Sequence, residues 1–179
     1  WKISFGVWRP VMSSDPKGAQ RVFASTATFS ACGKYRYSLT RQWTDGHRFA
    51  TWIMLNPSTA DAEVDDPTIR RCIGFSKSWG YAGLEVVNLY GYRATDPKQL
   101  DVVPDPHGPE NDRAIKDACL RATIVLCAWG KRGAERGRRL RPEINRSLFH
   151  LGMNNDGSPK HPLYVPAVTK PQLWEAGSE

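Results

Sequence analysis

The sequence predicts a single-domain α/β protein, three layers of helix, sheet and helix around a mainly parallel central sheet, with an antiparallel hairpin on its N-terminal side. Three observations carry that expectation. Strand-like and helix-like runs alternate along the middle of the chain. The helix starts carry recognisable capping residues. The 179 residues, 40% of them hydrophobic, suffice for one sizeable core and are short for two. On this reading residues 1–30 are an irregular lead-in punctuated by Pro10, Pro16 and Gly18, residues 31–166 the core, and residues 167–179 a tail.

The elements follow in order. YRYSLTRQW, from Tyr35 to Trp43, alternates with period two, and RFATWIML runs to Leu55 after the turn signal Asp45-Gly46, so the pair reads as a hairpin feeding a central strand. That strand ends in the loop Asn56-Pro57-Ser58-Thr59-Ala60-Asp61, where open α/β sheets place their ligands. Asp66-Pro67 starts a helix, Asp as N-cap and Pro in the first turn, with Ile69, Cys72, Ile73, Ser76 and Trp79 at helical spacing and Gly80 and Gly83 as stops. LEVVNLYGY, from Leu84 to Tyr92, is a buried-strand run. A Pro-rich crossover leads from Pro97 to Pro109, and Asn111 to Ala122 forms a helix with Ala114, Ile115, Ala118 and Cys119 on one face. TIVLCAW, Thr123 to Trp129, is a third strand, followed by a helix rich in arginine. The turn-rich end from Gly152 offers LYV, Leu163 to Val165, as a short last strand.

Composition narrows the classes of function. Seven Trp, six Tyr and six Phe are large apolar payloads that a disordered chain does not carry. No run of about 18 apolar residues is present and Trp1 to Arg9 lacks the apolar run of a secretory signal, so the expectation is a soluble, cytoplasmic protein with no membrane partner. Lys plus Arg number 25 against 18 Asp plus Glu, a net charge of +7, which favours a polyanion such as DNA as partner. No obligate protein partner is inferred. Cys32, Cys72, Cys119 and Cys127 form no CxxC pair and read as reduced core or half-buried thiols, so neither metal nor cofactor is expected.

Three segments stand at corresponding ends of three predicted strands, MLNPSTAD after the first, VVNLYGYRAT within the second and CAWGKRG after the third, with KHPLYVP later. In this order they resemble the uracil-DNA glycosylase superfamily, with its G-x-[ND]-P loop after the first core strand, Asn-containing strand, WGK-type strand end and late His-Pro loop. The resemblance covers roughly residues 50–166, making the 31–166 core glycosylase-like. The chain also resembles an uncharacterised bacterial and phage family, a domain of unknown function marked by LNPSTAD, DDPTIRR and HPLY. Two departures stand out: Met54-Leu55 occupy the place of the expected Gly, and the late loop reads HPLYVP where the superfamily has a His-Pro-Ser-Pro form. A third concerns Ser58, which stands where the commonest uracil enzymes have a Tyr ring that closes the pocket against C5 substituents.

The resemblance implies a monofunctional DNA glycosylase hydrolysing the N-glycosidic bond of a flipped pyrimidine. Such a reaction needs a group that positions water, a donor for the departing base and contacts that hold the flipped nucleotide. Asn56 is the expected water-positioning residue, with Asp61 or Asp65 as the alternative base. Asp66 is more simply an N-cap. His161 is the expected donor to the departing base. Asn88, a polar residue inside an apolar strand, is the expected base reader, with Ser58 and Leu55 beside it. Because a Ser leaves room, the substrate is expected to carry a bulky C5 group, such as a hydroxymethyl or glucosyl substituent of phage DNA, which would make the protein an antiviral defence factor. No Lys stands in the Asn56 loop to form a Schiff base, so no lyase step is expected.

Thr59, Arg70, Arg71, Lys160 and Tyr164 are the expected DNA contacts, with Tyr164 or Leu163 filling the space left by the flipped base. The arginine-rich stretch Lys131 to Arg141 is a further candidate surface. If DNA is the partner, the net charge is expected to be concentrated beside the Asn56 and His161 loops. The alternatives are a non-catalytic nucleic-acid-binding module of the same fold, and an enzyme acting on free nucleotides.

Overall fold

The computed structural model describes residues 9–13, 21–58 and 64–175. Its strands are β1 (Arg9–Ser13), β2 (Arg21–Phe29), β3 (Arg36–Gln42), β4 (Phe49–Met54), β5 (Gly83–Asn88), β6 (Ile124–Cys127), β7 (Leu148–His150) and β8 (Gln172–Leu173). Its helices are α1 (Pro67–Ser78), α2 (Asn111–Arg121) and α3 (Ala134–Leu140). The strands form one sheet in the order β1-β2-β3-β5-β4-β6-β7-β8.

Helices cover both faces, as the alternation predicts. Strand alternation sends Trp52 of β4 and Leu84 and Val86 of β5 to one face, where they pack with Ile69, Cys72 and Phe75 of α1. Ile53 and Val87 go to the other face and meet Ile115, Ala118 and Cys119 of α2 and Leu140 of α3. Each large apolar side chain buried this way contributes about 1.5–3 kcal/mol relative to exposure. Trp52 is fully buried and still satisfied, its Nε1 donating to Ser76 Oγ at 3.0 Å. Helix α1 starts where the sequence places it. Asp66 accepts from the Ile69 amide at 2.8 Å, Pro67 opens the first turn, and Gly80, at φ +77°, ends the turn beyond Trp79.

The sheet is mixed rather than mainly parallel. β4 pairs in parallel with β5 and β6, and β6 with β7, but β1-β2, β2-β3, β3-β5 and β7-β8 are antiparallel. Part of the expected lead-in is strand: β2 is rich in β-branched and aromatic residues, which suit a pleated surface. Pro10, which reads as punctuation, falls in the edge strand β1, where a missing amide donor is tolerated.

The expected hairpin between Tyr35–Trp43 and Arg48–Leu55 is also corrected, because β5 inserts between β3 and β4. The Ala82 amide donates to the Arg48 carbonyl at 2.8 Å while its own carbonyl accepts from the Trp43 amide at 3.0 Å. The connection at residues 43–48 thus straddles the start of β5. A strand with buried residues on both faces is best placed where both of its edges are also paired, and that place is central. LYV forms a 3₁₀ turn, Pro162–Tyr164, with Pro162 opening the turn and the His161 side chain capping it. β7 was not expected from the sequence.

Candidate functional site

The chain leaves β4 toward α1 on one face and leaves β5, its neighbour, toward α2 on the other. Adjacent parallel strands whose connections diverge in this way open a crevice beyond their carboxyl ends, the position that ligands occupy in open α/β sheets. Asn56 follows the end of β4 and Asn88 ends β5, so both stand at this crevice. The two segments stay in register beyond the strands, with the Leu89 amide donating to the Met54 carbonyl at 2.9 Å and the Tyr90 amide to the Leu55 carbonyl at 3.0 Å.

Asn56 is half-buried, and its Nδ2 donates to the carbonyls of Pro57 and Ala94 at 3.0 and 2.8 Å. The Ala94 amide donates back to the Pro57 carbonyl at 2.9 Å. These bonds fix the amide plane and tie the Asn56 loop to the segment after β5. With Nδ2 committed, Oδ1 is the group left to accept a hydrogen bond from water or ligand.

Asn88 is 1% exposed, and among the described residues neither its Nδ2 nor its Oδ1 has a hydrogen-bond partner. Period-two alternation puts it on the face of Leu84 and Val86, beside Met54 in the register and on the side of α1. An unpaired buried polar group costs about 1–3 kcal/mol. A whole amide left in this state marks a place where stability is given up, which occurs at functional sites. The backbone of the same residue is firmly held: Asn111, fully buried at the start of α2, donates from Nδ2 to the carbonyls of Asn88 and Leu89 at 2.9 and 3.1 Å.

His161 comes from the late loop and lies against the end of β6. A Cβ placed on Gly130 would be 3.9 Å from His161 Cβ, and the Gly130 amide donates to the Pro159 carbonyl at 2.9 Å. Gly130 has φ +71°, a conformation that favours glycine at this approach. Burial pushes the His161 imidazole below its ordinary pKa, opposed by the charge of Asp66 at the head of α1. The ring is therefore neutral at pH 7. Its Nδ1 accepts from the Leu163 amide at 3.4 Å, so the proton resides on Nε2, which is available as a donor.

The remaining candidates divide. Ser58 lines a cavity with Gly33, Lys34, Tyr92, Arg93, Ala94 and Thr95. Leu55 is not brought to Asn88. It packs against the cluster on the opposite face, because the alternation that turns Met54 toward α1 turns its neighbour away. Asp65 is held by Arg41, Nε to Oδ1 at 2.9 Å, which binds it as a structural anion. Thr59 and Asp61 lie outside the described residues. Arg70 is exposed and donates to the Asp65 carbonyl. Arg71 points toward the late loop, donating to the carbonyls of Pro162 and Val165 and stacking over Phe75 at 4.8 Å. Arg71 thus clamps the His161 loop to α1, a role the sequence pattern did not suggest. Lys160 is exposed beside His161. Tyr164, 82% exposed, lies 5.8 Å from the His161 ring, and Leu163 beside it is 44% exposed.

The arginine-rich stretch is largely neutralised within the fold. Arg132 pairs with Asp101, Arg136 with Asp112 and Arg139 with Glu135, while Arg141 donates to the carbonyl of Glu175 at 2.8 Å and stacks over Trp174 at 4.4 Å. The charge expectation holds in part, since Lys34, Arg70, Arg93 and Lys160 flank the crevice and its loops while these four arginines serve the other face. Trp129 of the WGK segment is a core residue, 3% exposed, packed against Gly133 and Gly137. The thiols of Cys72, Cys119 and Cys127 are buried, and burial pushes all three above the ordinary thiol value, Cys119 to about 12, so all three are inert. Among the described residues, no helix is long and apolar enough to cross a membrane.

A family model described as "Protein of unknown function (DUF1643)" matches residues 36–163. No curated protein and no solved structure matches the chain.

Proposed function

The chain belongs to the DUF1643 family, and from its geometry we propose that it is a monofunctional DNA glycosylase that hydrolyses the N-glycosidic bond of a flipped pyrimidine. The observation that carries the reading is Asn88, a fully buried amide whose donor and acceptor both lack a partner among the described residues, at the crevice where the connections of two parallel strands diverge. An amide offers the paired donor and acceptor that the edge of a pyrimidine requires. In this mechanism Asn56 Oδ1 accepts from the attacking water and orients it toward the anomeric carbon. As the base-sugar bond breaks, its electron pair leaves with the base, and neutral His161 donates from Nε2 to the developing negative charge. Water supplies the hydroxyl that remains on the sugar, and its other proton ends on the departed base, so His161 lends a hydrogen bond and stays neutral. An amide is a weak base, so leaving-group stabilisation carries more of the barrier than water activation does. Tyr164 and Leu163 fill the gap in the base stack, Lys160 and Arg70 meet the backbone, and Arg71 holds the His161 loop in place.

Ser58 sets the substrate class. Its small side chain stands where a closing ring would otherwise be and leaves room for a C5 substituent, so the proposed substrate is a hydroxymethylated or glucosylated pyrimidine in foreign DNA, and the proposed role is antiviral defence in the cytoplasm. DNA is the partner, and the proposed chemistry uses no cofactor. A second reading, a nucleic-acid-binding module without chemistry, draws on the commitment of the Asn56 amide to loop closure.

The test is incubation with plain, uracil-containing, hydroxymethylated and glucosylated DNA, single- and double-stranded, followed by alkaline cleavage at abasic sites and mass spectrometry of the released base. Release of one base, abolished in Asn88→Leu and strongly reduced in His161→Gln, is expected. Salt-dependent binding with no abasic sites on any substrate overturns the enzyme reading in favour of the module. Release from mononucleotides alone overturns the DNA reading.

A further inference from the structure

We propose that the cavity beside Ser58 is a phosphodiester-binding subsite, which takes the backbone phosphate next to the flipped nucleotide; the inference rests on the DNA reading above. The cavity measures about 320 Å³ and is lined by Gly33, Lys34, Ser58, Tyr92, Arg93, Ala94 and Thr95. Two of the seven lining residues are cations, three carry hydroxyls, and none is a carboxylate. In a protein with 18 acidic residues, a recess lined this way selects an anion that accepts several hydrogen bonds. Its volume lies at the lower end of small-molecule sites and exceeds what a bare phosphate fills, which suits a phosphate with part of its sugar.

The walls are built rather than incidental. The turn before β3 is closed by the Gly33 amide donating to the Ser30 carbonyl at 3.0 Å, and it is fastened to the segment after β5 by the Arg93 amide donating to the Lys34 carbonyl at 3.0 Å. Arg93 is itself positioned, its guanidinium 5.0 Å over the Phe29 ring and donating to the Gly33 carbonyl at 3.4 Å. Ala94, a wall of the cavity, is the residue whose carbonyl holds Asn56 Nδ2. The cavity and the water-positioning residue therefore share one stretch of backbone. An anion held by Lys34 and Arg93 would thus sit against the same stretch of backbone that anchors Asn56.

The test measures the salt dependence of binding to a 15-mer DNA by fluorescence anisotropy for the wild type, Lys34→Ala, Arg93→Gln and the control Arg139→Ala. Each cavity variant is expected to lower the slope of log K against log salt by about one, and the control is expected to leave it unchanged. Far-UV circular dichroism melts check folding, and Lys34→Ala, at an exposed position, keeps the test valid if Arg93→Gln unfolds. A wild type that binds DNA while both variants keep its slope overturns the subsite alone. A wild type with no salt-dependent DNA binding overturns the subsite and the DNA reading together.

Discussion

The two faces of the sheet treat the same chemical group in opposite ways. Asn111 reaches in from the α2 side and spends its donor on the carbonyls of Asn88 and Leu89, whereas the Asn88 side chain, on the α1 side of the same strand end, bonds to nothing among the described residues. The charges follow the same division. On the α2 and α3 side, Arg132, Arg136 and Arg139 meet acidic partners. On the α1 side and in the cavity beside Ser58, Arg70, Lys160, Lys34 and Arg93 are exposed cations, none in an ion pair among the described residues. The α2 and α3 side keeps single unpartnered atoms, Asn111 Oδ1 and Arg136 Nε among them, but on the α1 side a whole buried amide is without a partner among the described residues, the arrangement expected where a ligand supplies the partners.

The sharpest way to break this comparison is to swap the two amides for apolar side chains. Asn88→Leu is expected to lower base release at least about a hundredfold, because a site built on hydrogen bonds to the base loses its reader. The same substitution is expected to raise stability by about 1 kcal/mol in urea titrations, since the apolar isostere removes an uncompensated amide. Asn111→Leu is expected to do the reverse, destabilising by about 1–3 kcal/mol as two carbonyls lose a buried donor. Equal destabilisation by both substitutions would show that Asn88 is structural and end the contrast.

A smaller effect comes from pH. His161 and His150 are both pushed below the ordinary imidazole value by burial. The unfolded chain therefore binds more protons, and stability is full above about pH 6.5 and declines as pH falls below it. Base release is expected to show an acid limb in the same range as His161 protonates, and His161→Gln should lose that limb along with most activity. A flat profile in the wild type would exclude a neutral His161 donor. The smallest effect is expected from Arg139→Ala, whose exposed ion pair within one helix is worth less than about 0.5 kcal/mol in thermal melts. A marked loss of DNA affinity in that variant would move the binding surface to the far face.

Local signals were legible and partner choice was not. Asp66-Pro67 announced α1, and the apolar run around Asn88 announced both a buried strand and its odd member. Period two, however, states that a segment is a strand and which residues share a face; it is silent on which strand lies alongside. Hence the sequence reads β3 and β4 as a hairpin although β5 lies between them, and β2 reads as part of a lead-in because Pro and Gly break the chain just before it. Leu55 illustrates the same limit at the site, since adjacency in sequence to Asn56 placed it on the wrong side of the sheet. The arginines at and before α3 look like a nucleic-acid surface because Asp101, the partner of Arg132, and Asp112, the partner of Arg136, lie 31 and 24 residues away in the chain. Lys34 carried no local signal at all, as it meets Ser58 and Arg93 only after the sheet assembles.

The insertion of β5 between β3 and β4 has a consequence for how the chain is made. Synthesis completes β3 about forty and β4 about thirty residues before their common neighbour begins, so a nascent chain presents two strands with no native partner between them. Closing that gap requires contacts distant in sequence, which slows folding. Asn88 arrives at the end of the strand that fills the gap, so the crevice forms in the same step that joins the two halves of the sheet.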